Sequence, residues 1–200
     1  MPANARVLKP IVFLTLSLPL GWLAYAIGQE FNEPGIALGA DPGEAVVHFL
    51  GEWTIRLLLL TLCVSTVRRL IRAPAVIGYR RMIGLFAFSY AVMHMFSYIG
   101  FLAGFEWQVI RQDFVERAYI TVSLGAVALL IPLALTSTRG WQRRLGRRWR
   151  QLHLLVYPAI ALALVHLLWL TKDGYAEPLL YCAIFAGLMI ERLADWRRRT

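Results

Sequence analysis

Residues 152–171 read LHLLVYPAIALALVHLLWLT. About twenty apolar residues, rising 1.5 Å each in a helix, cross the ~30 Å hydrocarbon core of a bilayer. Working outward, five further stretches of this kind lie at about Val7–Ile27, Ala45–Val67, Met82–Gly104, Ala118–Thr136 and Pro178–Ala194. Inside lipid every backbone polar group must be satisfied within the spanning structure itself, and for segments of this length that structure is a helix. The expected fold is all-α: a polytopic membrane protein in which a single domain over residues 1–200 forms a six-transmembrane-helix bundle. The sixth stretch is the weakest, because its apolar run stops at Ile190 before Glu191 and Arg192.

Composition agrees. Of 200 residues 58 % are hydrophobic and 16 % charged, and mean hydropathy is +0.57, which together exclude a soluble enzyme. The breaks between spans are too short for a nucleotide-binding domain, and neither GxGxxG nor a P-loop occurs. The net charge of +9 would suggest nucleic acid only if the basic residues lined one folded face. Instead they alternate by loop: 17 Lys and Arg fall on one side of the spans and 3 on the other. The positive-inside rule then places both termini and the Arg-rich loops, 68–81 and 137–151, in the cytoplasm. The basic surplus matches anionic lipid, and no nucleic acid is required. Nine of the twelve acidic residues lie in the opposite loops. Arg6, Lys9 and the Ala24-Tyr25-Ala26 triplet also fit a cleaved leader, although the apolar stretch Ile11–Ile27 is longer than a usual leader core. Cys63 and Cys182 stand alone in apolar runs and read as small core residues. Gly100-xxx-Gly104 permits a close helix contact but carries no function.

An ionisable residue at membrane depth costs about 2.5–3.5 kcal/mol on insertion scales, so each one is a functional candidate. The candidates are His48, Glu52, Arg56, His94, His153 and His166, and they include all four histidines of the chain. His48, Glu52 and Arg56 follow an i, i+4, i+8 spacing that puts them on one helical face, where Glu52 and Arg56 can pair. That stripe is either self-satisfied or functional, with His48 as a ligand or Arg56 facing a carboxylate such as a haem propionate. His94 is a core histidine satisfied by Ser97 or Tyr98, or a metal ligand. His153 and His166 are thirteen residues apart, about 20 Å along a helix and ~140° around it; Pro158 between them can kink the helix and realign their faces. Depth arithmetic leaves His94 about 10 Å of rise from either one.

Imidazoles converging from facing helices are a recurrent way to hold haem iron, and two axial histidines favour electron transfer over substrate chemistry. Zinc spacing and CxxCH are absent, so an interior haem site here would hold non-covalent haem b. The arginines from Arg139 to Arg150, interleaved with Trp141 and Trp149, read as interface anchors with a secondary capacity for propionate or flavin phosphate.

Several segments together carry a resemblance. They are Leu38-Gly-Ala-Asp-Pro42 with His48-Phe-Leu-Gly51, Arg80-Arg-Met-Ile-Gly-Leu85 leading to His94 and Tyr98, Thr136-Ser137, and Leu145 to His153 continuing through Tyr157 to His166-Leu-Leu-Trp169. In this order the chain resembles the MsrQ family, the haem-binding inner-membrane subunits of bacterial methionine sulfoxide reductase systems, within the ferric-reductase-like transmembrane superfamily. Glu52 departs from that pattern. The resemblance implies haem b (one, with a second if His153 finds another ligand), FMN, and haem-linked histidines at His94, His153 and His166. It further implies an electron donor in the quinone pool or a cytoplasmic flavin reductase, and an acceptor in MsrP, a periplasmic molybdopterin enzyme. No substrate catalysis is expected of the chain itself. Two rivals stay open from the residues alone: a quinol-linked cytochrome b for another periplasmic oxidoreductase, and a small transporter using His, Glu and Arg as a relay.

Overall fold

The computed structural model describes residues 4–70, 77–172 and 174–198; Arg72, Asp173 and Arg199 of the charge count lie outside them. The described chain is helical, without strands. Its elements are α1 (Asn4–Asn32), α2 (Pro42–Leu70), α3 (Ile77–Ser97), α4 (Trp107–Glu116), α5 (Ala118–Leu135), α6 (Arg139–Leu145), α7 (Arg147–Leu152), α8 (Val156–Leu170) and α9 (Ala176–Arg197). A π-helical turn, Tyr98–Leu102, extends α3, and one 3₁₀ turn, His153–Leu155, joins α7 to α8.

The long helices follow the apolar stretches. Five described helices are long and apolar enough to cross a membrane by length and composition, and α9, over the sixth expected span, is not among them. The physical reason is charge: Glu177 stands at its start and Glu191 and Arg192 lie within its last turns. The loops hold short helices. In 105–117 lies α4, an exposed helix. In 137–151 lie α6 and α7, started by Thr138, whose hydroxyl accepts the Trp141 amide, and separated by Gly146 at φ 51°, where a side chain would be strained.

Pro158 acts where expected. Its missing N–H leaves the carbonyl of Leu154 without an i+4 partner, and it is around Leu154 that the backbone tightens into the 3₁₀ turn. Apart from that turn, α7 and α8 run as one 24-residue span, Arg147–Leu170.

Packing centres on α2. It supplies Val46, Val47, Leu50, Thr54, Ile55, Leu57, Leu58, Leu59, Thr61, Leu62 and Val64 to the core, more buried residues than any other helix. α2 packs chiefly on α3 and α5 chiefly on α8, forming two antiparallel pairs that meet each other more sparsely. Small residues at the crossings, Ala87, Ala91 and Ala159, let backbones approach where lipid offers no hydrophobic drive to pack. The outer surface is apolar, with α1 alone exposing Ile11, Phe13, Leu14, Leu18, Trp22 and Tyr25, as a lipid-facing wall requires. One end of the bundle carries α4 and the other carries α6 and α7; they are called here the α4 end and the α6 end.

Leu60 and Leu62 separate these two environments on a single helix, the first 42 % exposed and the second 0 %. Leu62→Ala should cost about 2–5 kcal/mol of stability as a buried truncation, whereas Leu60→Ala costs well under half as much. Denaturant unfolding in detergent checks the ratio.

Candidate functional site

The sparse seam between the two pairs is spanned by two histidines. His94 projects from α3 and His166 from α8, and their ring centroids are 6.2 Å apart with the planes at 74°. Each ring is anchored the same way. His94 Nδ1 lies 2.8 Å from the carbonyl oxygen of Val47 on α2, and His166 Nδ1 lies 2.8 Å from that of Tyr119 on α5. A carbonyl can only accept, so both rings carry their proton on Nδ1 and leave the Nε2 lone pair bare. That is the tautomer of a metal-ligating imidazole whose second nitrogen is held by the protein.

The separation suits a shared metal. Two metal–nitrogen bonds of about 2.0–2.1 Å, with a ring radius of roughly 1.1 Å at either side, come to about 6.3 Å. Gly51 completes the cradle: a Cβ there would stand 3.0 Å from His94 Cε1 and 3.1 Å from Nδ1. The imidazole thus occupies the volume of the absent side chain.

The two anchors repeat each other. Both span 47 residues in sequence, so an offset of 72 carries His94 onto His166 and Val47 onto Tyr119. The same offset carries Arg81 onto His153. At this second level, toward the α6 end, only one of the two positions is an imidazole.

His153 stands apart. Thr136 Oγ1 donates to the Pro132 carbonyl at 2.6 Å and lies 3.1 Å from His153 Nε2. A hydroxyl has one proton, so His153 Nε2–H must donate to it. The ring rests on Trp149 with centroids 4.0 Å apart, and Trp149 Nε1 donates to the Thr136 carbonyl. His153 and Trp149 border a cavity of about 350 Å³ at the α6 end, also lined by Leu58, Leu130 and Leu133 and by Arg68, Arg80 and Arg81.

Of the remaining candidates, His48 follows the anchor residue Val47 and lies within electrostatic reach of His94 and His166, while Glu52 and Arg56 face α9. His48 approaches Glu44 at 3.6 Å on an exposed edge. Glu52 and Arg56 pair at 3.0 Å, as their spacing suggests, but Arg56 also binds Glu177 at 2.8 Å and accepts company from Tyr181, whose hydroxyl takes its Nε–H at 2.8 Å. The Tyr181 hydroxyl, which donates to Glu177, and then Arg56 hold that carboxyl below the usual carboxylate range. This stripe ties α2 to α9 and leads no relay toward His94. Ser97 satisfies the carbonyl of His94 and not its ring.

Sequence reasoning missed Val47, Tyr119, Thr136 and the reason for Gly51. Main-chain carbonyls leave no mark on a side-chain pattern. The one available signal was spacing: Arg81 precedes His94 by the same thirteen residues that separate His153 from His166.

Together these features define an all-helical membrane bundle with two backbone-anchored imidazoles on facing helices, the kind of interior from which metal and cofactor sites of bundles are built. The profile of the family described as "Ferric reductase like transmembrane component" matches residues 50–164. The chain is 44 % identical over 196 residues, 98 % of its length and 84 % of the relative's, to the protein-methionine-sulfoxide reductase heme-binding subunit MsrQ of Xanthomonas campestris pv. campestris. It is 42 % identical over 191 residues, 95 % of its length and 86 % of the relative's, to the protein of that name from Xanthomonas axonopodis pv. citri. Against the one from Caulobacter vibrioides identity is 39 % over 191 residues, 94 % and 87 % of the two lengths. No solved structure matches the chain. The chain belongs to the ferric-reductase-like transmembrane family and, within it, to the MsrQ group.

Gly51→Ala should push the His94 ring off the Val47 carbonyl, while Gly28→Ala, with open space at its Cβ, leaves it in place. Histidine ¹⁵N–¹H spectra read this directly as loss or retention of the Nδ1–H hydrogen bond.

Proposed function

We propose that this chain is the membrane electron-transfer subunit of a methionine sulfoxide reductase system, passing electrons from the cytoplasmic side to a periplasmic molybdopterin reductase, MsrP, that repairs oxidised periplasmic proteins. The observation that carries this reading is the His94–His166 pair, with both Nδ1 protons committed to carbonyls and both Nε2 atoms free. The relatives' name, heme-binding subunit, supports the same cofactor. Haem b, held by these two residues, would supply a one-electron iron couple. The chain supplies the rest. Val47 and Tyr119 hold the ring orientations, Gly51 admits the His94 imidazole, and the aliphatic seam keeps water away.

Orientation follows from charge. The α6 end, with its unneutralised arginines, is the cytoplasmic side of a bacterial inner membrane, and both termini lie there. This requires α9 to make a sixth crossing. Its charges support that: Glu177 pairs with Arg56, and Glu191 and Asp195 pair with Arg69 at 2.5 and 3.0 Å. Arg56 and Arg69 are thirteen residues apart on α2, about 20 Å, so α9 runs along α2 with its acidic residues neutralised at both ends.

The cavity at the α6 end is the place we assign to FMN, and the side from which a quinone or a cytoplasmic flavin reductase delivers electrons. Arg80 is half-buried against it, and among the described residues neither Arg68, Arg80 nor Arg81 has a carboxylate partner, unlike Arg56, Arg69 and Arg117. Unpaired guanidinium groups at a cavity of this size suit a phosphate. We assign His153 to this cavity's ligand, since axial ligation through Nε2 would break its bond to Thr136, and one haem is the count these bonds support. His48 and Arg56, paired elsewhere, have no part in it.

Haem-supplemented protein should show a low-spin Soret band that His94→Ala or His166→Ala abolishes, with His153→Ala and His48→Ala retaining it. A colourless parent protein overturns the reading, as does an equal loss in all four variants. In reconstitution with MsrP and a reduced flavin donor, the parent should support methionine sulfoxide reduction and the His94 and His166 variants should lose at least tenfold of it.

A further inference from the structure

At the α4 end a chain of hydrogen bonds connects the element that carries His94 with the carbonyl that anchors His166. Tyr98, four residues beyond His94 at the start of the π turn, donates its hydroxyl to Asp113 Oδ2 at 2.6 Å. The other oxygen, Oδ1, receives Arg117 Nε at 3.0 Å. Arg117 then donates from Nη1 to the Tyr119 hydroxyl at 3.3 Å. Tyr119 closes the path, because its own carbonyl takes the His166 Nδ1 proton and its ring lies 5.9 Å from the imidazole.

Two features separate this from ordinary surface pairing. The Asp113 side chain is only 13 % exposed although it sits on a surface helix, and its two oxygens hold Tyr98 of the π turn and Arg117 at the junction of α4 and α5. In addition, no residue of α4 is buried, and its large apolar residues Trp107 and Val115 are more than 70 % exposed. Apolar packing on α4 is limited to the half-buried Val109 and Ile110, and Thr121 of α5 donates to the Phe114 carbonyl at 2.7 Å. The carboxylate adds the tie to the π turn, and through Arg117 it joins the end of α3 to the beginning of α5. These are the two elements whose relative position sets where the His94 ring and the His166 anchor stand.

We propose that Tyr98, Asp113 and Arg117 are positioning residues, a clasp that sets the separation and relative rotation of the His94 and His166 imidazoles and thereby tunes the redox centre they hold. The proposal rests on the reading of that pair as haem ligands. The physical basis is that hydrogen bonds beyond the ligands fix ring orientation and ligand basicity, and such partners typically matter 10–100-fold to affinity or activity.

The test compares Asp113→Ala, Asp113→Glu, Tyr98→Phe and Glu116→Ala in the full chain. Glu116 is the control, being exposed and engaged only by Gln112. Asp113→Ala should keep a Soret band but change the low-spin electron paramagnetic resonance g-values, which report the angle between axial imidazole planes, and shift the midpoint potential. Tyr98→Phe should move both in the same direction and by less. Asp113→Glu should restore part of the change, and Glu116→Ala should match the parent. A second measurement needs no haem: the His166 Nδ1–H resonance should move in Asp113→Ala. Parental g-values and potential in Asp113→Ala overturn the clasp, as does an unmoved His166 resonance. If the parent takes up no haem, the haem reading fails, and the resonance alone still decides whether the clasp positions His166.

Discussion

The arrangement depends on two hydrogen bonds in which a main-chain carbonyl, already part of a helix, accepts the Nδ1 proton of a histidine on the neighbouring helix. In hydrocarbon an imidazole with an unmet N–H is expensive, and here the cost is removed by a group that cannot titrate, move or be replaced by mutation. The consequence is chemical. With its proton pinned on Nδ1, each ring offers only a lone pair toward the seam, and two lone pairs 6.2 Å apart centre to centre have no use for each other, since neither can donate. Such an arrangement leaves two acceptor lone pairs that a metal ion would suit, imidazole being a common metal ligand.

The bonds also explain why the packing is uneven. Val47 and His94 sit within the α2–α3 pair, and Tyr119 and His166 within the α5–α8 pair. Each pair is therefore internally complete, and the contact between pairs is left thin. In a bundle stabilised by shape complementarity, a thin seam would ordinarily be a weakness. The anchored rings stand on either side of it, 6.2 Å apart. α2 compensates by being buried almost throughout its length.

Much of the fold was legible because the bilayer imposes it. Length and hydropathy alone located the five strongly apolar helices, and the excess of basic residues in alternate loops marked two dissimilar ends. The sixth stretch shows the limit of that signal: charge lowers the apolarity of α9, and only tertiary pairing with Arg56 and Arg69 reveals where those charges go. The candidate site was legible from the residues as a set of four histidines, and the pairing of His94 with His166 was favoured only by the family resemblance. Helical rise leaves His94 midway between His153 and His166, and nothing in a sequence says which carbonyl an imidazole will find. The short helix α4 was invisible for a related reason. It is ten residues long, with only Val109 and Ile110 half-buried on its apolar side, too short a pattern to stand out within a polar break, and its place is set by the bonds of Asp113 and of the Phe114 carbonyl.

The two levels of the bundle, related by the 72-residue offset, make the same point about function through their difference. At the level of His94 and His166 both positions are imidazoles and both carry the Nδ1 proton. At the level of Arg81 and His153 one position is a permanent cation, and the remaining imidazole is protonated on Nε2 by its bond to Thr136. A guanidinium has no lone pair to give, so a metal shared between the two positions has no chemistry there, whereas an anion does. The change of one residue type along an otherwise repeated framework replaces an electron-pair donor with a permanent cation, and the two levels differ in charge accordingly.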